Sequence, residues 1–306
     1  MNFIKYPKIK YLGDEEVAGL TSNPEDEIII QEKIDGANIR VLIHNKELLF
    51  GSRNVTMDDD MESSKMWNKV VSYLKEKLKG KDLSGLNNCI LFMEYCIKHT
   101  MSYDWNVIPP ILGFDIYELE KGAFIDFYKC KTLFNELEID FVPVIRTIKA
   151  RDLTSFTDSD VPVSVYASPS ATDRQAEGVV FKNYKTQTFA KYVRDKFKEK
   201  NKEVFGANKK YVNDDTERLI AVYCTNPRID KMIFYLRTES VMELNLKMMT
   251  KLPMLVLEDI IEENYKEIII SNYTIDFRKF RGLIAKRCLA VLKQVMVNSQ
   301  LNENGL

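Results

Sequence analysis

The chain contains few of the residues that build metal clusters and disulfide frameworks. Its 306 residues include two histidines and five cysteines. The cysteines are scattered, odd in number and form no C-x-x-C pair, which argues against a disulfide framework or a zinc site. With His44 and His99 alone, a histidine-rich metal site is not expected either. These features are typical of a protein from a reducing compartment.

Long apolar runs and a large net charge are also absent. No apolar run approaches the roughly 20 residues that span a bilayer. The first residues carry Lys5, Lys8 and Lys10 without the apolar core of a signal peptide. We therefore expect a cytoplasmic protein with no membrane partner. The formal net charge of -1 argues against general nucleic-acid binding but leaves room for a local basic face.

What the chain does have is a core-forming composition whose pattern changes along its length. Hydrophobic residues make up 45% of it. Short β-branched runs separated by turns predict mostly antiparallel strands in the first two thirds. Later, Leu, Ile and Met recur at helical spacing and strand signals fade. We therefore predict an α+β fold, with a mostly antiparallel-sheet domain over 1–205 and a small all-α C-terminal domain over 206–306.

Individual elements follow from the same patterns. Strands are predicted over 27–33, 38–44, 47–50, 89–96, 111–117, 123–127, 141–146, 178–183 and 186–193. Helices are predicted over 62–79, 129–138 and 195–204. A turn is predicted at Asn45-Lys46, and Gly80 is predicted to end the first helix. The Ser-, Thr-, Asp- and Pro-rich segment 151–176 is predicted to be irregular.

The most informative stretch is Glu32-Lys33-Ile34-Asp35-Gly36, which follows the apolar run Ile28-Ile29-Ile30. A lysine where a strand ends can be held, partly desolvated, against a pocket. Such a position favours the neutral amine that a nucleophile needs. Gly36 permits a sharp turn and the close approach of a ligand. The alternative interpretation is an ordinary surface lysine at a strand end.

Five further segments follow the lysine motif: Gly51-Ser52-Arg53-Asn54, Phe92-Met93-Glu94-Tyr95, Phe114-Asp115-Ile116-Tyr117, Glu177-Gly178-Val179-Val180 and Lys191-Tyr192-Val193. The ordered series resembles the nucleotidyltransferase motifs of the covalent ligase superfamily, which covers polynucleotide ligases and mRNA capping enzymes. Asn38 and the stretch from Phe92 through His99 and Tyr103 to Ile116 are most similar to RNA ligases of the RNA ligase 2-like branch. The similarity spans roughly residues 25–200.

This resemblance implies a fold and a reaction. The first domain would be a nucleotidyltransferase domain with an ATP-grasp-like ligase fold. The protein would be an ATP-dependent RNA ligase in which Lys33 takes AMP from ATP, using Mg²⁺ or Mn²⁺. The AMP would pass to the 5′-phosphate of one RNA end, and the 3′-hydroxyl of the other end would displace it. We expect the protein to act as a monomer.

The resemblance also implies roles for individual residues. The implied catalytic residues are Lys33, Glu177 and Lys191, and the implied metal ligands are Glu177 and Glu94. The implied nucleotide-binding residues are Glu32, Lys33, Asn38, Arg53, Glu94, Phe114, Glu177, Lys182 and Lys191. Among these, Arg53 and Asn38 would serve phosphates, Phe114 would stack on adenine, and Lys182 and Lys191 would bear on the nucleotide phosphates.

Each role has a structural alternative. Arg53 could be a turn residue, Glu94 a salt-bridged core glutamate, Phe114 a core aromatic and Lys182 part of a solvated charged face. His99 and Tyr103 receive no chemical role from the sequence.

The chain departs from the family pattern in its last motif. Related ligases carry two lysines one residue apart, whereas this chain has Lys191-Tyr192-Val193. Lys182 and Arg194 are the candidates to compensate for the lysine that Val193 replaces.

Two other classes of function compete with RNA ligation. A DNA ligase or a GTP-using capping enzyme would carry an OB-fold of short alternating strands after the first domain. The helical pattern of 206–306 argues against both. A non-catalytic nucleic-acid-binding relative is favoured only by the valine at position 193.

Overall fold

The computed structural model describes residues 3–53, 56–57, 65–97, 101–194, 197 and 214–303. Its chain divides into two compact units, Met1–Asp195 and Lys196–Leu306. The first unit combines two mostly antiparallel sheets with helices, and the described part of the second unit is helical. The α+β fold class predicted from the sequence is confirmed.

The first unit is built on two sheets. In chain order its strands are β1 Lys10–Tyr11, β2 Glu27–Lys33, β3 Ala37–His44, β4 Glu47–Ser52, β5 Thr56–Met57, β6 Cys89–Tyr95, β7 Ile111–Glu118, β8 Ala123–Phe124, β9 Val144–Lys149, β10 Gly178–Asn183 and β11 Thr188–Val193. A five-stranded sheet has the order β1-β11-β10-β2-β9, and a six-stranded sheet has the order β5-β4-β3-β6-β7-β8. The helices of this unit include α1 Lys65–Leu78 and α2 Phe127–Glu136.

The chain crosses from the first sheet to the second at the lysine motif. Strand β2 ends at Lys33, and β3 begins four residues later at Ala37. Gly36 is needed at this crossing because a Cβ there would lie 2.5 Å from the backbone oxygen of Tyr95 and 3.0 Å from Cγ of Glu94. The close approach therefore fixes Lys33 at the junction of the two sheets.

An aromatic core joins the two sheets. Phe92 of β6 and Phe189 of β11 are buried together with Tyr6, Leu42 and Ile90. The Tyr6 and Phe92 rings meet edge to face with centroids 5.0 Å apart, an arrangement that aromatic rings favour. Because this core holds strands of both sheets, it sets the spacing of the side chains that project between them.

Most predicted elements of the first unit are confirmed. Strands β2, β3, β4, β6, β7 and β10 lie where the sequence predicted them. Asn45 and Lys46 form the predicted turn with φ angles of 50° and 68°, and Gly80, with φ 74°, follows α1. Segment 151–176 contains short 3-10 turns and isolated bridges, as expected for an irregular stretch.

Three predicted boundaries were wrong for local reasons. Helix α2 begins at Phe127 because Asp126 caps it, accepting hydrogen bonds from two backbone N–H groups, so β8 ends earlier than predicted. The strand predicted over 141–146 is β9, which begins later, at Val144, because Phe141 packs against the aromatic rings of α2. Strand β11 begins at Thr188 because the Asn183 side chain holds the preceding turn. Except for residue 197, the predicted helix over 195–204 lies outside the described residues, as do the start of the helix predicted over 62–79 and His99.

The described part of the second unit is a bundle of helices. They are α3 Asp215–Tyr223, α4 Asn226–Thr238, α5 Leu252–Ile270 and α6 Phe277–Glu303. Asp214 and Thr225 cap α3 and α4 through their side chains, and prolines occupy the first turns of α4 and α5. No strand occurs within 214–303. In the parts of both units that the structure describes, no helix is long and apolar enough to cross a membrane.

Buried cysteines and a buried charge network complete the packing. All five cysteines are free and buried. In the second unit Arg228 is fully buried and pairs with Asp259, and it donates to the amide oxygen of Asn264 at 2.9 Å. Buried charges require such partners, so this network ties α4 to α5.

We predict that Gly178→Ala destabilises the first unit. Gly178 pairs with Lys33 on one side and Val193 on the other, and a Cβ there would lie 2.0 Å from the backbone oxygen of Tyr192. Overpacking of this kind costs about 1–3 kcal/mol, which urea denaturation would measure. Gly85→Ala is the matched control because a Cβ there meets no atom within 4 Å. Equal stability of the two variants would contradict the prediction.

Candidate active site

Lys33 and Glu177 form the centre of the candidate site. Lys33 ends β2, and Glu177 directly precedes the strand β10 that pairs with it. The Lys33 ammonium donates to Oε2 of Glu177 at 2.7 Å. Both side chains are partly accessible, with exposed fractions of 29% and 15%. The structure thus brings together the predicted nucleophile and a predicted metal ligand from distant parts of the sequence.

Two more carboxylates, Asp35 and Glu94, act on the same ammonium. Both raise the pKa of Lys33 together with Glu177. Burial alone lowers this pKa, but the three negative charges outweigh burial and the net shift is upward. The net pKa shift is therefore opposite in direction to the one that the sequence led us to expect from desolvation. Lys33 is an ammonium ion here, and it needs to lose a proton before it can act as a nucleophile.

For the glutamates around Lys33, burial outweighs the attraction to the ammonium. Burial raises the pKa of Glu94 to about 8, with Asp35 and Glu177 adding to the shift and Lys33 opposing it. Burial also raises the pKa of Glu177, and Lys33 again opposes the shift. Several carboxylates therefore crowd around Lys33, an arrangement that suits the binding of a further cation.

A complete metal cage is not part of this site as described. Across residues 3–53, 65–97, 101–194 and 214–303, no group of three or more His, Cys, Asp or Glu side chains is placed to hold a metal ion. Mg²⁺ commonly binds through one or two carboxylates together with substrate phosphates and water. Glu94 and Glu177 fit that manner of binding.

Tyr103 and Met101 hold the acid of the lysine motif. The Tyr103 hydroxyl accepts a hydrogen bond from the Asp35 backbone N–H at 2.9 Å, and the Met101 N–H donates to Oδ2 of Asp35 at 2.8 Å. Both residues are buried. The sequence assigned Tyr103 no role, and the structure shows that it positions the turn between Lys33 and Gly36.

Asn38 and Arg53 lie on the second-sheet side of the site. Asn38 of β3 pairs directly with Glu94 of β6, and its buried Oδ1 has no hydrogen-bond partner. Arg53, at the end of β4, is exposed, and its charge lowers the pKa of Glu94. The side-chain NH₂ of Asn38 and the Arg53 guanidinium are donors of the kind that bind a polar, anionic ligand.

Lys191 lies on the face of the first sheet that carries Lys33. In register, Lys191 pairs with Val180, and Val180 pairs with Gln31, two residues before Lys33. Side chains two residues apart on a strand share a face. The Lys191 ammonium lies 4.4 Å from the centre of the Tyr11 ring, and its charge lowers the pKa of Glu177. Val193 is buried at the position where related ligases carry their second lysine.

Neither candidate replacement for that lysine is available to a ligand. Lys182 is 2% exposed and donates to Oδ2 of Asp115 at 2.7 Å and to the backbone oxygen of Phe114 at 3.0 Å. Arg194 is buried and donates to the backbone oxygen of Ala176 and to Asp173. The proposed phosphate role of Lys182 and the solvated-face alternative are both corrected. A lysine in a strand motif can thus be buried in an ion pair with a carboxylate that is distant in the sequence.

Asp115 is the buried anion that engages Lys182. It also accepts hydrogen bonds from the hydroxyls of Tyr6 at 2.5 Å and Tyr184 at 2.6 Å. Through the Phe114 backbone oxygen, this network fixes the half-buried Phe114, whose ring meets Tyr6 edge to face at 5.0 Å. Lys182 thus positions the aromatic ring that the sequence predicted to stack on adenine.

Glu32 projects away from Lys33. Adjacent residues of a strand point to opposite faces, and Glu32 is buried where it accepts a hydrogen bond from the Val165 N–H at 3.4 Å. Its Oε1 has no hydrogen-bond partner, and burial raises its pKa. The structure therefore does not bring the Glu32 carboxylate into the group around Lys33.

We predict that Glu94 makes the protein less stable as the pH rises. Its pKa of about 8 in the folded protein exceeds the value of about 4.3 for an unperturbed glutamate. Between these values the folded state binds more protons than the unfolded state, so the free energy of unfolding falls with increasing pH.

Glu94→Gln should remove this part of the pH dependence. Urea denaturation of both proteins at about pH 5 and about pH 8 measures it. Glu136→Gln, at an exposed position of α2, is the control and should keep the wild-type dependence. A Glu94→Gln protein with the wild-type dependence would show that Glu94 ionises normally.

We predict that Asp115→Asn costs about 3–5 kcal/mol of stability, because it leaves the buried Lys182 ammonium without a counter-charge. The double variant Asp115→Asn, Lys182→Met should lose less than the sum of the single changes. Glu76→Gln, in an exposed ion pair with Lys79, should leave stability unchanged. Chemical denaturation of the wild type, the two single variants, the double variant and the control makes the comparison, and additive losses would contradict a direct coupling.

Comparison with known proteins gives one family match. The family model described as RNA ligase matches residues 26–198, which include the whole group around Lys33. No curated protein matches the chain.

Among solved structures, a variant of Naegleria gruberi RNA ligase with ATP and Mn gives a TM-score of 0.47 at 14% identity. The match covers 64% of this chain and 58% of that chain. The same ligase with PPi gives a TM-score of 0.45 at 16% identity, with coverages of 66% and 59%. This chain therefore spans less than two thirds of the length of the ligase that it matches.

Proposed function

This chain belongs to the RNA ligase family, and from that premise we propose that it joins RNA ends with 5′-phosphate and 3′-hydroxyl groups at the expense of ATP. AMP is carried covalently on Lys33 and then on the 5′ end. The observation that carries the proposal is the Lys33 ammonium, held 2.7 Å from Glu177 and surrounded by Asp35 and Glu94.

The first step forms a bond between the Lys33 nitrogen and the α-phosphorus of ATP. The bond from that phosphorus to the pyrophosphate oxygen breaks, and pyrophosphate departs. The ammonium has to lose its proton first. Glu177 is the nearest acceptor, and its raised pKa makes it a better base than an ordinary glutamate.

The next two steps transfer the AMP and then release it. An oxygen of the RNA 5′-phosphate attacks the phosphorus on Lys33, which frees the amine and forms a 5′–5′ pyrophosphate. The 3′-hydroxyl of the second end then attacks the RNA 5′-phosphorus, and AMP leaves with the electron pair of the broken phosphoanhydride. The energy of ATP is thus held at the bond where the strands are joined.

The remaining side chains bind and orient the reactants. Lys191 and Arg53 supply positive charge for phosphates, and Phe114, fixed by Lys182, offers an aromatic face for adenine. A divalent cation at Glu94 or Glu177 would neutralise charge on the departing pyrophosphate. Asn38 would donate through its side-chain NH₂ to a phosphate oxygen of the bound nucleotide or of the RNA 5′ end.

We predict that the protein retains label from ATP, but not from GTP, when each is labelled at the α-phosphate and supplied with Mg²⁺. The measurement is a denaturing gel, after prior treatment with pyrophosphate to remove any AMP already bound. Lys33→Ala should retain no label because it has no amine. Lys79→Ala, at an exposed position of the first unit, is the matched control and should be labelled like the wild type.

Glu177→Gln tests the proton acceptor in the same assay. Loss of general-base catalysis predicts a labelling rate lower by about 10²-fold or more. A folded wild-type protein free of AMP that takes up no label would contradict the ligase proposal and favour a non-catalytic nucleic-acid-binding protein. Label from GTP alone would indicate a capping enzyme.

A further inference from the structure

The second unit carries a groove that the proposed function leaves unused. The groove has a volume of about 580 Å³ and lies between the start of α5 and the first turns of α6. Its lining includes Met249, Leu257 and Ile284, and none of the lining residues in the described part of the chain is acidic. We call it the Phe277 groove, after the aromatic residue at its edge.

The edge of the groove combines exposed apolar and cationic side chains. Phe277 is 67% exposed and Met254 is 49% exposed. Arg278 and Arg281 line the groove and are exposed, and within the described residues neither forms an ion pair. By contrast, Lys279 on the same helix is held by two carboxylates. The two guanidinium groups are therefore available to an anion.

Two of the acidic residues of the neighbouring helix are engaged elsewhere. Asp259 and Glu263 of α5 pair with Arg228 and Lys231 of α4. Helix α6 has no acidic residue before Glu303 and carries Arg278, Lys279, Arg281, Lys286, Arg287 and Lys293. The described lining of the groove therefore carries two guanidinium groups and no carboxylate, although the whole chain has a net charge of -1.

Gly282 keeps the groove open. It lines the groove inside α6, and a Cβ at this position meets no atom within 4 Å. Glycine in a helix interior is less stable than alanine, and neither packing nor a positive φ angle calls for it here. The missing side chain leaves space on the lining between the two arginines and the apolar floor.

We propose that the Phe277 groove binds an unpaired nucleotide of the RNA substrate. The base stacks on Phe277 and the apolar floor, and the adjacent phosphates pair with Arg278 and Arg281. Aromatic faces flanked by arginines are a common way to bind single-stranded nucleic acid, and the volume lies in the range of small-ligand pockets. This inference rests on the proposed function for the identity of the ligand.

The test measures binding of a short fluorescent single-stranded RNA with a 5′-phosphate, by anisotropy over a range of salt concentrations, to the full chain. One variant, Arg278→Gln with Arg281→Gln, removes the phosphate contacts. A second, Gly282→Trp, fills the groove from an exposed helix position where no neighbour obstructs the new side chain. The controls are Arg237→Gln, an exposed arginine of α4 outside the groove, and Gly282→Ala.

The double arginine variant should weaken RNA binding at least about tenfold, and the slope of log K against log salt should fall by about 1.4, or about 0.7 for each lost phosphate contact. Gly282→Trp should weaken binding by a similar factor with the slope changed less. Gly282→Ala should bind like the wild type and unfold at a higher temperature, because it improves helix propensity. Arg237→Gln should bind normally.

Three outcomes would overturn the proposal. The first is wild-type RNA affinity in both groove variants. The second is weakening by the arginine changes but not by Gly282→Trp, which would mean that the arginines act as a surface patch and no base enters. The third is displacement of the RNA by polyglutamate as readily as by unlabelled RNA, which would identify an acidic peptide site.

Labelling of Lys33 by ATP is measured on the same wild-type preparation. Absence of label together with groove-dependent RNA binding would contradict the ligase proposal and leave the groove assignment standing. Normal label together with groove-independent RNA binding would contradict the groove assignment and leave the ligase proposal standing.

Discussion

The site depends on one ammonium ion placed among three carboxylates. Lys33 is attracted to Glu177, Asp35 and Glu94 strongly enough to keep its proton despite partial burial. The same crowding raises the pKa values of Glu177 and Glu94. In the proposed reaction the amine has to lose this proton before it attacks, and a divalent cation bound with ATP would compete with Lys33 for the carboxylates.

The fold holds this group at the place where the chain passes between its two sheets. Gly36 and Gly178 allow backbones to approach so closely that no side chain fits at either position. Tyr103 fixes the backbone of Asp35 from a third segment. Under the site, the buried pair of Asp115 and Lys182 links the second sheet to the first. Strands and close backbone contacts therefore define the positions of Lys33, Glu94 and Glu177, as the proposed catalysis would require.

Much of the fold could be predicted from the sequence, because the hydrophobic pattern of each strand and helix is a local property. The meeting of Lys33 with Glu94 and Glu177 was expected only from the resemblance of the motif series to the covalent ligase superfamily. The ionisation of Lys33 was not predictable, since it depends on charges from three separate segments. Lys182 was misread for a similar reason: its partner Asp115 is 67 residues away, and no spacing rule shows that a strand lysine is buried. Tyr103 was identifiable by position but not by role, because its hydrogen bond is to a backbone N–H.

The central claim is that Lys33 is the residue that carries AMP. Mass spectrometry of peptides from protein incubated with ATP and Mg²⁺ tests it most directly, because it locates the adduct instead of inferring it from a variant. We expect the mass of one AMP on the peptide that contains Lys33, lost on mild acid treatment as expected for a phosphorus–nitrogen bond and on addition of pyrophosphate. An AMP adduct on another residue, such as Lys191, or a fully active protein with no adduct on Lys33, would contradict it.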